Sequence, residues 1–282
     1  MSESPIQEIV CCMGQPVAGN PTQFMMERAF AAAGLDWRYL TLEVPPEKLE
    51  DAIRGLRAMG FCGANFIPPH EGEVLKYLDQ IDTAAEMLGT VNCVHHVDDR
   101  LIGESLRGRA LLQSLRMLAD PTSGSVVIFG AGGKARAFAV ELALCGTEEL
   151  IIANRSAEPG QGLVDLLRQR LNANARLVHL SGDYTLDNGT RIVVNATSIG
   201  EGDAEARLPL DVQSLTPDTV VADAVVNPPR TRLIRDAQER GCRIVDGLAL
   251  LVNEGAAAFR VWTGMDADIG VMREALEEYL EL

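Results

Sequence analysis

The chain has 282 residues, of which 47% are hydrophobic and 23% are charged, a composition typical of a folded globular protein long enough for two domains. Its net charge of −15 argues against nucleic acid or an anionic membrane as a partner, because both require clustered Lys and Arg. No apolar run approaches the roughly 20 residues of a membrane span. The first residues, M-S-E-S-P-I, lack the basic-then-apolar pattern of a signal peptide. We therefore expect a cytoplasmic protein that acts on a small molecule.

The six cysteines lie in or beside apolar segments. They form no C-x-x-C pair and no Cys/His spacing typical of a metal site. This pattern predicts reduced thiols in hydrophobic cores and no bound metal.

Strands and helices alternate in the first half of the chain. Apolar, β-favouring segments predict strands at 8–12, 37–42, 62–66 and 90–95, and helical patterns predict helices at 22–33, 47–59 and 71–79. A polar hairpin is expected around Asp98 and Asp99. This alternation is typical of an open, mostly parallel α/β sheet that is covered on both faces.

The second half begins with a predicted helix at 109–119 and continues as regularly spaced strands. The strands are expected at 126–129, 149–153, 176–180, 191–195, 220–224 and 243–245, followed by helices at 248–264 and 270–280. This spacing predicts a Rossmann-type, doubly wound sheet in residues 107–247. We expect the C-terminal helices, 248–282, to return to the first domain, 1–106, and to leave a cleft between the two domains.

The segment from Ser125 to Ala137 is the most informative part of the sequence. Apolar residues 126–129 predict a buried strand, and the G-x-G-x-x-A motif of residues 130–135 leads directly into an apolar helix. In such a motif Gly130 permits the tight turn, Gly132 lets the backbone approach a pyrophosphate, and Ala135 allows close packing of helix and strand. The helix N-terminus would face the phosphates. The segment predicts a dinucleotide-binding site.

Motifs along nearly the whole chain resemble the shikimate dehydrogenase family. In the second half these are the glycine motif at 130–137, N-R-S at 154–156, V-N-A-T-S-I-G at 194–200, V-V-N-P at 225–228 and D-G-L-A-L-L-V-N-E-G at 246–255. In the first half they include G-F-C-G-A-N at 60–65, G-T-V-N at 89–92 and L-I-G at 101–103. The resemblance implies an N-terminal substrate domain, a C-terminal nicotinamide-nucleotide domain, and hydride transfer between substrate and cofactor.

On the cofactor side the family pattern is largely intact. The N-R-S turn resembles the family's NADP-type turn, in which Arg and a hydroxyl bind the 2′-phosphate. The second basic residue that the family pattern has nearby is absent, and Glu158 would repel a phosphate, so NAD is slightly favoured over NADP. The residues that the resemblance assigns to the cofactor are Gly130, Ala131, Gly132, Gly133, Lys134, Asn154, Arg155, Ser156, Asn195, Ala196, Thr197, Val225, Gly247 and Leu250.

On the substrate side the sequence departs from the family. The two serines that hold the substrate carboxylate in H-S-x-S-P are replaced by Ala18 and Asn20, and a family Tyr is Val226. Each lost hydrogen bond to a charged carboxylate costs on the order of 1.5–3 kcal/mol, so shikimate itself is a poor candidate substrate. The family's Gln becomes Glu254. The residues expected to bind the substrate are Asn20, Asn65, Asn92 and Glu254.

The family's catalytic Lys and Asp correspond to Glu71 and Arg107, so the charges of the pair are inverted. Three interpretations remain open. Glu71 is a general acid/base oriented by Arg107, or Arg107 binds a substrate carboxylate in a bidentate manner, or the two form a purely structural ion pair. His70 could relay protons, although a structural role is the simpler interpretation.

The sequence therefore predicts an NAD(P)-dependent oxidoreductase that transfers a hydride to or from a hydroxylated, cyclic, shikimate-like compound other than shikimate. The alternative is a catalytically silent dinucleotide-binding sensor or regulatory protein. A homodimer is compatible with either function.

Overall fold

A computed structural model describes residues 6–282, which divide into two compact units. Unit 1 contains the described residues up to Leu106 together with Glu254–Leu282, and unit 2 contains Arg107–Asn253. The sequence predicts that the chain returns to the first domain at residue 248. The contacts instead assign residues up to Asn253 to unit 2, so the return lies within a helix.

Unit 1 is built on a six-stranded mixed sheet. Its strand order is β2-β1-β3-β5-β6-β4, in which β1 is parallel to β2 and β3 while β5 is antiparallel to β3 and β6. The elements are β1 (Glu8–Gly14), α1 (Thr22–Ala32), β2 (Trp37–Glu43), α2 (Leu49–Ala58), β3 (Gly63–Phe66), α3 (His70–Glu73), β4 (Gln80–Ile81), α4 (Thr83–Leu88), β5 (Cys93–Val97) and β6 (Arg100–Glu104). Pro46–Lys48 and Val74–Tyr77 are 3-10 turns.

Side chains of α1 protect the outer edge of this sheet. The Glu27 carboxylate accepts a hydrogen bond from the Tyr39 backbone N–H at 2.7 Å, and the Gln23 side-chain oxygen accepts one from the Thr41 N–H at 3.1 Å. These bonds satisfy donors of the edge strand β2 that would otherwise be open to pairing with another chain.

The predicted hairpin is present between β5 and β6. Asp98 and Asp99 both have positive φ, 49° and 63°, as a type I′ turn requires. Two short elements, β4 and α4, are not apparent in the sequence pattern because they contain only two and six residues. The Asp82 carboxylate caps the start of α4, since it accepts a hydrogen bond from the Ala85 N–H at 2.7 Å.

Unit 2 contains a six-stranded, entirely parallel sheet in the order β12-β11-β10-β7-β8-β9. The strand order reverses between β7 and β10, which is the switch point of a Rossmann fold. The elements are α5 (Leu106–Arg116), β7 (Ser125–Phe129), α6 (Gly133–Cys145), β8 (Glu149–Asn154), α7 (Ala157–Leu171), β9 (Ala175–His179), β10 (Thr190–Asn195), β11 (Val220–Asp223), α8 (Arg232–Glu239), β12 (Arg243–Val245) and the first part of α9 (Gly247–Thr263), whose residues from Glu254 onward belong to unit 1. The last helix of the chain, α10 (Ile269–Tyr279), belongs to unit 1.

The central strands of unit 2 form its core. All five residues of β7 are buried, and the apolar residues of β8, β10 and β11 beside it are also inaccessible to solvent. Full burial of each large apolar side chain contributes about 1.5–3 kcal/mol. This packing fixes the carboxyl ends of the strands, where ligands of doubly wound sheets bind. No helix within residues 6–282 is long and apolar enough to cross a membrane.

Candidate active site

The glycine-rich turn connects β7 to α6 in unit 2. Gly130 has φ of +109°, and a Cβ there would lie 3.1 Å from the Thr197 side chain and 3.3 Å from the Ala196 carbonyl. Only glycine fits this turn without strain. Ala131 and Gly132 follow, and Gly133 and Lys134 are the first two residues of α6.

The next two glycines leave room for a ligand. A Cβ placed at Gly132 or Gly133 would meet no atom within 4 Å. The open space lies at the N-terminus of a 13-residue helix, whose N–H groups and dipole favour a phosphate. This part of the turn therefore fits the pyrophosphate of a dinucleotide.

A pocket lies beside the turn at the ends of β7 and β8. Its lining includes Gly130, Asn154, Arg155, Thr197, Leu180 and Pro209. The turn after β8 is held by two hydrogen bonds: the Asn154 amide donates to the Ser156 carbonyl at 2.8 Å, and the His179 ring donates to the Arg155 carbonyl at 2.9 Å. Apolar walls next to polar groups and an arginine suit the adenosine half of a dinucleotide.

A buried carboxylate connects the ends of β10 and β11. Asp223 is 1% exposed and accepts hydrogen bonds from the Asn195 amide (2.9 Å), the Val225 N–H (3.1 Å) and the Thr231 hydroxyl (2.6 Å). Burial raises the pKa of Asp223, and the three bonds and the charge of Lys134 oppose this shift. The sequence pattern does not single out Asp223, whose only signal is an acidic residue at the end of an apolar strand.

Asn195 also organises the loop that follows β10. Its side-chain oxygen accepts hydrogen bonds from the Thr197 N–H (3.1 Å) and hydroxyl (2.7 Å). Its amide donates to the Ile199 carbonyl at 3.0 Å. The Asn195, Ala196 and Thr197 segment predicted from the sequence is thus brought next to the glycine turn, and its shape depends on side-chain bonds to the backbone.

The segment after β11 packs against the start of α9. A Cβ at Gly247 would overlap the carbonyl of Val225, so the two backbones require a glycine at this position. Leu250 lies buried one turn further along α9. The cofactor residues predicted from the sequence therefore all lie at the carboxyl ends of the unit 2 strands or in the elements that directly follow them.

A chain of polar side chains runs through unit 1. The buried Tyr39 hydroxyl donates to the Asn65 side-chain oxygen at 2.8 Å, and the Asn65 amide donates to the Asn92 carbonyl at 3.0 Å. The Asn92 amide donates to the Glu254 carboxylate at 2.6 Å, while its oxygen accepts from the Leu106 N–H at 2.8 Å. Three of the four predicted substrate residues therefore form one connected network.

The fourth predicted substrate residue, Asn20, is engaged at the start of α1. Its side-chain oxygen accepts a hydrogen bond from the Thr22 N–H at 2.9 Å, and its amide lies 3.6 Å from the Cys12 sulfur. Burial raises the pKa of Cys12 to about 11, so this thiol is neutral near pH 7.

The residues of the inverted pair, Glu71 and Arg107, are each connected to the part of the chain around Asn92. Glu71 is the second residue of α3, and its carbonyl accepts a hydrogen bond from the Val91 N–H at 2.8 Å. Arg107 directly follows Leu106, whose N–H is bonded to Asn92. His70 is 1% exposed and its ring donates to the Val44 carbonyl at 2.7 Å, which supports a structural role.

A Rossmann-type sheet with a glycine-rich phosphate turn defines unit 2 as a dinucleotide-binding unit. Comparison with known proteins specifies the family. Residues 12–94 match the shikimate dehydrogenase substrate binding domain, and residues 247–277 match the shikimate 5'-dehydrogenase C-terminal domain. The chain is 38% identical to a shikimate dehydrogenase (NADP(+)) of Methanopyrus kandleri, with 96% of each chain covered.

Solved structures agree with this assignment. The ligand-free form of 5-ketofructose reductase of Gluconobacter sp. strain CHM43 is 41% identical, with a TM-score of 0.95 and coverage of 98% of this chain and 99% of that one. Shikimate 5-dehydrogenase from Listeria monocytogenes in complex with shikimate and NAD is 30% identical, with a TM-score of 0.89 and 98% coverage of both chains. The chain belongs to the shikimate dehydrogenase family and is an NAD(P)-dependent oxidoreductase. No comparison supports the alternative prediction of a catalytically silent dinucleotide-binding sensor or regulatory protein.

Proposed function

We propose that this oxidoreductase interconverts a ketone and a secondary alcohol on an uncharged, polyhydroxylated compound of about the size of shikimate, a ketose or its reduced form. The protein with 41% identity is named as a reductase of 5-ketofructose, a neutral sugar derivative. The other relatives named here are shikimate dehydrogenases, whose substrate is a carboxylic acid. Two features of the unit 1 side chains support a neutral substrate for this chain.

The observation that carries the proposal is the bond between Asn92 and Glu254. Glu254 stands at the position of the family's Gln and places a carboxylate where a neutral amide would be, held at 2.6 Å by Asn92. A carboxylate accepts hydrogen bonds from substrate hydroxyls and repels a substrate carboxylate. An uncharged polyol offers hydroxyl groups to Glu254 and carries no charge for it to repel. Shikimate also offers hydroxyl groups, but Glu254 would repel its carboxylate.

The positions of the family's serines support the same conclusion. Ala18 has no hydroxyl, and the Asn20 side-chain oxygen is engaged with the Thr22 N–H. Neither position supplies the pair of hydroxyl donors that would hold a carboxylate. The loss of two such bonds, each on the order of 1.5–3 kcal/mol, lowers affinity for a carboxylate substrate by several decades.

We assign the proton transfer to Glu71 and a supporting role to Arg107. The nicotinamide cofactor supplies or accepts the hydride when bound. In the oxidation direction the Glu71 carboxylate takes the proton of the reacting hydroxyl, and in the reduction direction its carboxylic acid returns that proton to the carbonyl oxygen. Arg107 stays protonated near neutral pH, so it orients groups or stabilises charge and does not transfer protons.

For the cofactor, we propose that NAD is used somewhat better than NADP. Arg155 lines the adenosine-side pocket, and its guanidinium favours a 2′-phosphate. Glu158 lies in the first turn of α7, three residues after Arg155, and opposes that preference. The relative from Methanopyrus kandleri is named for NADP(+), and the Listeria structure contains NAD.

The test is a comparison of substrates at the nicotinamide absorbance. Purified protein is given 5-ketofructose and other neutral ketoses with reduced NAD or NADP, and shikimate with the oxidised forms. We expect kcat/KM for the best neutral ketose to exceed that for shikimate by about 100-fold or more, in line with two lost hydrogen bonds. A kcat/KM for shikimate equal to or above that of every neutral ketose would overturn the proposal.

A further inference from the structure

Lys134 makes a contact that differs from the one its position in the glycine motif suggests. As the second residue of α6 it is placed to bind the pyrophosphate, yet its side-chain ammonium donates a hydrogen bond to the carbonyl of Ala224 at 2.9 Å. Ala224 is buried and directly follows β11, which ends at Asp223. The lysine therefore connects the glycine turn with the end of a strand 90 residues further along the chain.

The segment that Lys134 reaches is fixed by the backbone and by Asp223. The Ala224 N–H donates to the Asn195 carbonyl at 2.9 Å, and the Val225 N–H donates to the Asp223 carboxylate at 3.1 Å. The Val225 carbonyl faces Gly247 at a distance that excludes any side chain there. The bond from Lys134 adds a donor for the Ala224 carbonyl at the point where the β11 ladder ends.

The location of this segment indicates which part of the cofactor it serves. In a doubly wound sheet the two nucleotide halves lie on opposite sides of the switch point, here between β7 and β10. The pocket lined by Asn154 and Arg155 lies on the β8 side and suits the adenosine half. The ends of β10 and β11 therefore correspond to the nicotinamide half.

We propose that Lys134 is a positioning residue that holds the Ala224–Val225 segment in place for the nicotinamide half of the cofactor, and that it is not a principal ligand of the pyrophosphate. Asp223, which is buried beneath the same segment, completes this arrangement through its bonds to Asn195, Val225 and Thr231. The proposal rests on the NAD(P)-dependent activity of the family and is independent of which substrate is used.

Fragments of the cofactor distinguish the two roles of Lys134. ADP-ribose contains the adenosine and the pyrophosphate but lacks nicotinamide, so a phosphate ligand contributes equally to the binding of ADP-ribose and NADH. The variant Lys134→Met removes the ammonium and keeps a long side chain. Lys134→Arg restores a cation and a donor, and Lys48→Met, at an exposed position in unit 1, controls for the loss of one charge.

We expect Lys134→Met to change the dissociation constant of ADP-ribose by less than about two-fold in calorimetry and to weaken NADH binding by about ten-fold, the effect of about one lost hydrogen bond at the nicotinamide half. The fluorescence of bound NADH should change as well, and Lys134→Arg should recover most of both effects. Urea unfolding checks that each variant is folded. Equal weakening of ADP-ribose and NADH, or no effect on either ligand, would overturn the proposal.

Discussion

The glycine-turn edge of unit 2 and the polar network of unit 1 present different kinds of atoms to a ligand. At the edge of unit 2 the phosphate site consists of backbone N–H groups and of space left by Gly132 and Gly133. In unit 1 the network that contains Asn65, Asn92 and Glu254 is made chiefly by side chains. A site formed by backbone depends on the fold, whereas a site formed by side chains changes its specificity with a few substitutions.

This difference explains where the chain keeps and loses the pattern of its family. The resemblance to the family implies that the glycine motif and the loop after β10 are retained, and that the departures fall at substrate positions, including Ala18, Asn20, Glu71 and Arg107. The common cofactor can be kept while the substrate changes, because the two recognition tasks depend on different groups.

The largest effect is expected from closing the space at the glycine turn. Gly132 has φ of −79°, a conformation open to any residue, and a side chain there meets no protein atom. Gly132→Val should therefore fold normally while its side chain occupies the approach of the pyrophosphate, and NADH binding should weaken by more than about 100-fold. Calorimetry measures this, with Gly162→Val as the control, because Gly162 on α7 also faces open space. Unchanged affinity in Gly132→Val would contradict the assignment of the site.

A substitution at Glu71 in unit 1 should lower turnover and leave cofactor binding unchanged, the reverse of the effect at the glycine turn. Glu71→Gln keeps the shape of the side chain but removes proton transfer, so kcat should fall by about 100- to 1,000-fold. NADH affinity should stay within about two-fold of the original, because the amide keeps the shape of the side chain and the phosphate turn is formed by other residues, Gly130–Gly133. The neighbouring Glu73→Gln, an exposed residue paired with Lys76, serves as the control. Retention of full activity in Glu71→Gln would assign Glu71 a structural role.

The two sites also differ in how far the sequence predicts them. The strand, glycine turn and helix of residues 125–145 are contiguous, so periodicity and turn chemistry indicate the phosphate site directly. Asp223 and its bonds to Asn195 and Thr231, and the bond from Lys134 to Ala224, join residues from separate elements and have no local signal. Such contacts arise from tertiary packing and appear only once the strands are aligned.

In unit 1, too, the local sequence does not reveal what individual side chains contact. The sequence predicts a substrate role for Asn20, and the structure shows in addition that its side chain bonds to the Thr22 N–H at the start of α1. For His70 the sequence leaves a proton relay open, whereas burial and the bond to the Val44 carbonyl indicate a core residue. Burial of a polar side chain depends on packing from several elements, which a local pattern does not contain.

An intermediate effect is expected at Glu254, where the charge can be removed without removing the hydrogen bond. In Glu254→Gln the side-chain oxygen can still accept from the Asn92 amide, but a substrate carboxylate is no longer repelled. The ratio of kcat/KM for shikimate to that for the best neutral ketose should rise by about ten-fold, as expected for one charge at close range. Glu148→Gln is the matched control, because Glu148 also accepts a hydrogen bond, from the Gly124 N–H at 3.0 Å, and belongs to unit 2. An unchanged ratio would show that Glu254 does not discriminate by charge.

The smallest effect concerns the choice between NAD and NADP. Glu158 is exposed and lies in the first turn of α7, directly after the turn whose Arg155 lines the adenosine-side pocket. Because exposed charges are screened, replacing Glu158 by Gln should raise the affinity for NADP relative to NAD by only about two- to five-fold, and the effect should shrink at high salt. Glu158→Arg should give a larger shift in the same direction, since it adds a cation that a phosphate can bind.

Dissociation constants for both cofactors at low and high ionic strength measure this shift in preference. Asp165→Asn, further along α7, controls for the loss of one negative charge. If neither Glu158 variant changes the ratio of the NADP and NAD affinities, the preference is set by Arg155 and the backbone of its turn. The adenosine side of unit 2 would then resemble the glycine turn, where backbone groups form the site.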